Sequence, residues 1–256
     1  MNGLIPVLLY NSVGDDPPPG QRRHTVSRAR FRAHLDAISA AGRAGICITE
    51  LAEALRGRCE LPHRPVVITF GDGYAGTYRA VETLLYRGLR SSVYVTTGTV
   101  GSAGRITASE VVALSRLPGV ELGAHAVSHR RLDELDNHEL AAEVGDSRAA
   151  LEALTEWPVL SFAYPHGAYD WRARDAVIAA GYRSAVAVKN AASHLGDDPF
   201  AIARWRVTAG TPASRITEVL EGTALPPAWR HERLRTRGYR AARRQRRRFS
   251  GRLGAP

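Results

Sequence analysis

Residues 66–80 read VVITFGDGYAGTYRA. The first five are β-branched or aromatic with no polar alternation, the pattern of a strand buried on both faces. Gly71-Asp72-Gly73 then breaks the run, and helical spacing resumes over roughly residues 75–87. Strand, tight turn and helix in that order form the unit from which parallel sheets are built. In such folds the C-terminal strand ends carry the active site. A carboxylate stands at that end here, alone between two glycines.

The same alternation extends in both directions. LIPVLLY (4–10) reads as a strand, and residues 27–44 as a helix with Phe31, Leu35 and Ile38 on one face and Ser27 as N-cap. ICI is a short strand, and TELAEALRG a helix capped by Thr49. SSVYVTT is a strand, and TASEVVALSRL a helix with Thr107 and Glu110 at capping-box spacing. GVELGAH is a strand ending at His125, followed by a long helix over 137–156. VLSFAY, DWRARDAVIAAG and SAVAV give strand, helix and strand, after which the pattern fades until SRITEVLEG. Seven or so such units predict an α/β fold with a closed or nearly closed parallel barrel. Asn11, Asp72, His125 and Tyr164–Gly167 each follow an apolar strand directly, so the polar candidates converge on one end of that barrel.

Composition narrows the field. With 256 residues and 44% hydrophobic content the chain can bury one large core. Cys47 and Cys59 form no CxxC pair and no zinc knuckle. No GxGxxG or P-loop is present. The apolar run at 4–10 is too short to span a bilayer and has neither a basic flank nor a cleavage site, which leads us to expect a cytoplasmic protein. The formal charge of +10 sits in the tail: residues 230–256 hold eleven Arg and one Glu, and 11 − 1 = +10. We therefore expect a barrel domain over 1–229 and an Arg-rich tail over 230–256. That tail could hold the protein at an anionic membrane surface on the inner face; nucleic acid is not expected as a partner.

Asp72, His125 and His129 supply one carboxylate and two imidazoles, a donor set that binds a divalent ion and leaves a position open for water. Zinc is the first expectation, with Fe, Co, Ni and Mn as alternatives. The HAVSH pair by itself is weak, because nine histidines make an i,i+4 pair a common accident. Its placement beside Asp72 at the strand ends is what gives it weight.

IPVLLYNSV, RARFRAHLDAISAAG, ITFGDGYAGTY, SSVYVTTGTVG, ELGAHAVSHRRL, SFAYPHGAYD and AIARWRV occur in that order. Together they resemble the polysaccharide deacetylase family, also called the NodB-homology or carbohydrate esterase family 4 group. The resemblance covers about residues 4–210. It implies a distorted (β/α)7 barrel, a divalent metal on Asp72, His125 and His129, and hydrolysis of N-acyl groups on a glycan or small-molecule substrate. It also implies a departure. The family's first motif usually reads Thr-Phe-Asp-Asp-Gly, with the first Asp as general base; here Gly71 holds that place. Asn11 stands where relatives commonly carry His, and Gly76 where they commonly carry Asp.

His166, in YPHG, is a candidate replacement acid/base or a rim group. Asn11, Tyr74, Tyr164, Pro165 and Tyr169 are candidate substrate contacts, with Tyr78 and Trp171 as further aromatics near the motifs. No clear counterpart of the family's general-acid His is found; His194 is the nearest in order. Three functions fit. The first is a deacetylase-type hydrolase with a missing or substituted base. The second is a metal enzyme turned to non-hydrolytic chemistry, either iron-dependent or Lewis-acid. The third is a non-catalytic binding descendant, which the retention of all three ligands argues against.

Overall fold

A computed structural model describes residues 3–228. The Arg-rich segment 230–256, and with it the expected domain boundary and membrane contact, lies outside the described residues. Among the described residues, the strands of three or more residues are, in chain order, β1 (Val7–Tyr10), β2 (Ala44–Ile46), β3 (Pro65–Phe70), β4 (Ser91–Val95), β5 (Val120–Ala124), β6 (Ser161–Ala163), β7 (Ser184–Val188) and β8 (Ile202–Arg206); two-residue strands lie at Leu4–Ile5, Ser12–Val13, Thr25–Val26 and Ser193–His194. Seven of them close a parallel ring in the order β1–β3–β4–β5–β6–β7–β8 and back to β1, the expected barrel.

The distortion has two sources. Strand β2 stands outside the ring and shares one edge of β3 with β4. It pairs with Pro65–Val67 while β4 takes Ile68–Phe70, and β1 occupies the opposite edge. Strands β5 and β6 meet at a single register pair, Ala124 with Phe162, which makes that seam the thinnest in the wall. The N-terminal end of the barrel is closed by Leu4–Ile5 pairing antiparallel with Ser193–His194.

Seven helices surround the ring: α1 (Arg28–Ala40), α2 (Ile48–Leu55), α3 (Thr77–Leu85), α4 (Ala108–Ser115), α5 (Asn137–Thr155), α6 (Trp171–Ala179) and α7 (Ala213–Leu220). Ser27 caps α1, its side chain accepting from the Arg30 N–H, and Thr107 with Glu110 closes the capping box of α4 as expected. One cap differs from expectation: Cys47 rather than Thr49 precedes α2, its N–H donating to Glu50. Helix α5 starts at Asn137 as expected, capped by Asp136, which accepts from the Glu139 N–H. Pro6 has no N–H to donate and splits the first apolar run into Leu4–Ile5 and β1.

Strand alternation sorts the core into two layers. Leu8, Tyr10, Ile68, Phe70, Val93, Val95 and Phe162 point outward against the helices. Val7, Val67, Tyr94, Ala163, Val186 and Ile202 point inward and fill the barrel. The same alternation turns Leu9, Asn11, Thr69, Gly71, His125, Arg204 and Arg206 inward toward the C-terminal mouth. Tyr94, wholly buried, lies over Gly123: a Cβ there would stand 2.4 Å from the Tyr94 ring and 2.7 Å from Ser161 Oγ. A methyl group in a filled barrel interior forces repacking, so Gly123→Ala should cost about 1–3 kcal/mol. The shift in chemical denaturation midpoint measures this, with an unchanged slope against denaturant.

Candidate metal centre

The Gly-Asp-Gly turn leaves β3 with the Gly71 N–H donating to Tyr10 O at 2.8 Å and the Gly73 N–H to Gly71 O at 2.8 Å. Asp72 takes φ 66°, a left-handed conformation that swings its carboxylate into the barrel mouth. Strand β5 delivers His125, and the following turn brings His129 back beside it by placing Ala126 at φ 62° and His129 at φ 61°. His166, at φ 58°, stands after β6 with its ring 4.5 Å from that of His129. Four of the seven non-glycine residues with positive φ in the described chain therefore surround one cleft. Such strain concentrates at functional sites because the fold must hold it in place.

One ligand atom from each of Asp72, His125 and His129 lies within 4.8 Å of the other two. Asp72 Oδ1 is 3.1 Å from His125 Nε2 and 3.0 Å from His129 Nε2. The hydrogen bonds behind these atoms aim them. The other carboxylate oxygen, Oδ2, accepts from Asn11 Nδ2 at 2.7 Å. His125 Nδ1 lies 2.6 Å from Ala163 O, a carbonyl that can only accept, so Nδ1 carries the proton and Nε2 presents a lone pair. Burial lowers the His125 pKa and keeps the ring neutral. A bare imidazole nitrogen and an anionic oxygen 3.1 Å apart are two acceptors face to face. A cation between them satisfies both, and the donor set suits a first-row divalent ion.

The turn from His125 to His129 is held from outside the cleft. Glu143, on α5, accepts from the Val127 and Ser128 N–H groups at 2.9 Å each, and from the Ser128 hydroxyl. Sequence periodicity did not single it out, because an inward-facing acid on a helix looks like a break in the apolar stripe. The Tyr74 side lies under Arg105, whose Cζ is 4.2 Å from the ring centroid and whose Nη1 donates to Asp72 O at 2.9 Å.

The cleft holds about 200 Å³ and brings together Asn11, Gly71, Asp72, Tyr74, His125, His129, Tyr164 and His166. Several sequence candidates have other employment. Tyr164 lines the cleft, but its ring is stacked on Tyr169 at 4.7 Å and its hydroxyl donates to Phe200 O at 3.0 Å, so Tyr169 packs behind the wall that Tyr164 forms. Pro165 is buried, and neither it nor Tyr169, Tyr78 or Trp171 lines the cleft. Asn11 spends its amide on Asp72. His194 pairs with Leu4 at the opposite end of the barrel and bonds Ala228 O at 2.9 Å, which removes it as an acid for this site. Gly76 is no missing rim group: a Cβ there would stand 2.0 Å from Val13 O, so the backbone approach requires glycine. In exchange the structure adds three groups to the lining: His24, Arg204 and Arg206. His166 stands exposed at the rim, and desolvation by the groups around it followed by the neighbouring His129 lowers its pKa to about 4.

Residues 59–185, the span that carries the turn, both metal-facing histidines and His166, match the family model described as polysaccharide deacetylase. The chain belongs to that family of carbon–nitrogen hydrolases. YxkH of Bacillus subtilis (strain 168), assigned as a polysaccharide deacetylase, is 22% identical over 218 residues, covering 85% of this chain and 76% of the relative. Among solved structures, the Streptococcus pyogenes deacetylase PplD in complex with acetate superposes with TM-score 0.78 at 20% identity, covering 85% of this chain and 98% of that one. IcaB from Ammonifex degensii gives 0.73 at 23% identity, covering 87% and 98%. At these identities the structures establish the fold.

The clamp on the histidine turn is testable apart from turnover. Glu143→Ala leaves two N–H groups without their acceptor and should cost about 1–3 kcal/mol for each that stays dry. It should also weaken divalent-metal binding by roughly 10–100-fold, as loss of an outer-shell support does. Competition with a chromophoric chelator reads the second effect, and thermal unfolding the first.

Proposed function

We propose that the protein is a divalent-metal-dependent amide hydrolase of deacetylase type, acting on an N-acylated sugar or a related amide, and that Gly71 marks the loss of its ordinary general base. The observation that carries this reading is the convergence of Asp72 Oδ1 with two imidazole nitrogens, one of them fixed as a lone pair by Ala163 O. Zinc suits the two nitrogens and one oxygen best.

When bound, such an ion supplies Lewis acidity toward the acyl carbonyl and lowers the pKa of water to about 7. The chain's own groups do the rest. Asn11 holds the Asp72 carboxylate in one orientation through Oδ2, and Ala163 O fixes the His125 tautomer. Tyr74, backed by Arg105, walls the cleft on the Asp72 side. His166 presents a neutral imidazole to the same space and can accept a proton there. With only a weak substitute for the base, hydrolysis runs below what a carboxylate at position 71 would support, since a positioned base contributes roughly 10²–10⁴-fold.

Gly71→Asp tests this directly. An added Cβ meets Leu9 Cδ1 at 3.4 Å and Asn11 Nδ2 at 3.6 Å, ordinary contact distances that allow the variant to fold. Acetate release from N-acetylglucosamine oligomers by the zinc-loaded protein should rise by at least tenfold over the parent, within the range a general base supplies. Equal rates in both would assign proton transfer to another group, with His166→Phe as the variant that identifies it. No acetate from either, with zinc bound, would sink the hydrolase reading.

A further inference from the structure

Arg204 is buried, 1% exposed, in the barrel interior. Its Cζ lies 5.5 Å from the Tyr94 ring centroid and its Nε donates to Ala187 O at 3.4 Å, a long contact. Its Nη1 is buried with no hydrogen-bond partner, and no ion pair joins it to an acid of the described residues. Two positions on along β8, Arg206 also has a buried Nε without a partner. Both line the cleft, together with His24 and His166. Burial pulls the Arg204 pKa down to about 10, which leaves the guanidinium charged at neutral pH.

A buried guanidinium without a counter-charge is costly, and folds normally pair or ligate such a group. The cleft's one acid, Asp72, acts on it only from a distance, with its oxygens turned toward the two histidines and Asn11. The position that could carry a second acid is Gly71, and it lies next to this cationic wall: Arg206 registers with Leu9 across the β8–β1 pair, and Leu9 Cδ1 is the nearest atom to a Cβ built on Gly71. The space left open by glycine and the unpaired donors of β8 therefore belong to one region of the mouth.

We infer that the cleft is built for an N-acylated substrate bearing an anionic oxygen group, carboxylate or phosphate, which docks on Arg204 and Arg206 in the space beside Gly71. Guanidinium forks match both anions. The substrate class rests on the amide-hydrolase reading; the anion seat itself does not.

The test uses the full, zinc-loaded chain and three probes: N-acetylmuramic acid, N-acetylglucosamine 6-phosphate and neutral N-acetylglucosamine. Calorimetry at low salt should show at least one anionic probe binding more than tenfold tighter than the neutral one, and which of the two gains identifies the anion. Arg206→Gln should remove most of that margin while leaving the neutral affinity in place. Gly71→Asp, which supplies a protein carboxylate to the same region, should remove it as well. Arg204→Met is the more drastic variant; should it fail to fold, the other two still decide. Equal binding of all three probes by the parent overturns the inference. So does a margin that survives both Arg206→Gln and Gly71→Asp, because the anion would then sit on the zinc. Acetate release from the same samples separates the two readings. A margin without any acetate keeps the anion seat and removes the hydrolase, and acetate without a margin does the reverse.

Discussion

Two acceptors, the anionic Oδ1 of Asp72 and the bare Nε2 of His125, stand 3.1 Å apart at the mouth of the barrel, and the surrounding structure is organised to keep them there. Left alone, the carboxylate would turn toward a donor and the imidazole would exchange its tautomer. Asn11 prevents the first by holding Oδ2, and Ala163 O prevents the second by taking the Nδ1 proton. Asp72, Ala126 and His129 adopt left-handed backbone to bring the groups together, at a cost on the order of 1 kcal/mol or more each. The Glu143 clamp and the closed hydrogen-bond ring below offset it. A cation at the centre would turn a repulsive arrangement into a stable one, which is what makes the cluster a candidate metal centre.

The barrel beneath has to be rigid for this to hold. Its interior is packed by Tyr94 over Gly123 with Val67, Val186 and Ile202 around it, and its outer layer by the strand faces that meet the helices. The thin β5–β6 seam lies between the strands that carry His125 and His166. The His125 Nδ1 bond to Ala163 O spans that seam, so one hydrogen bond both fixes a ligand and ties two strands where the sheet ladder is weakest.

Much of the fold was legible because buried parallel strands and amphipathic helices write opposite patterns into the sequence. Strand VVITF, the Thr107–Glu110 capping box and the Ser27 cap appear in the structure as the sequence presents them. Three features were hidden. Strand β8 carries Arg204 and Arg206 at its inward positions, so the apolar run that marks the other strands is absent and periodicity falls silent there. Gly76 looked like a lost side chain, whereas the reason for glycine is a carbonyl from a distant strand, Val13, which local sequence does not record. His24, at the end of a 3-10 turn (Pro19–His24), follows a Pro/Gly-rich loop with no motif to announce that the chain returns to the cleft. The two tyrosines after the β6 motif differ in a way the sequence does not record: Tyr164 lines the cleft, and Tyr169 stacks behind it.

Charge at the mouth connects the hidden strand with the altered motif. An acid at position 71 would set two carboxylates against a divalent ion and the two arginines, leaving a smaller positive excess than the cleft has with glycine there. With glycine at 71 the acids fall to one while the arginines remain, so the cleft with its ion bound is strongly positive in a region of low dielectric, where unbalanced charge is most expensive. Burial of Arg204 with an open Nη1 is costly, since an apolar residue of similar volume would fill that position at lower cost. An incoming anion would offset that cost. On that view Gly71 is an opening beside the arginines, and the carboxylate or phosphate that fills it arrives with the ligand.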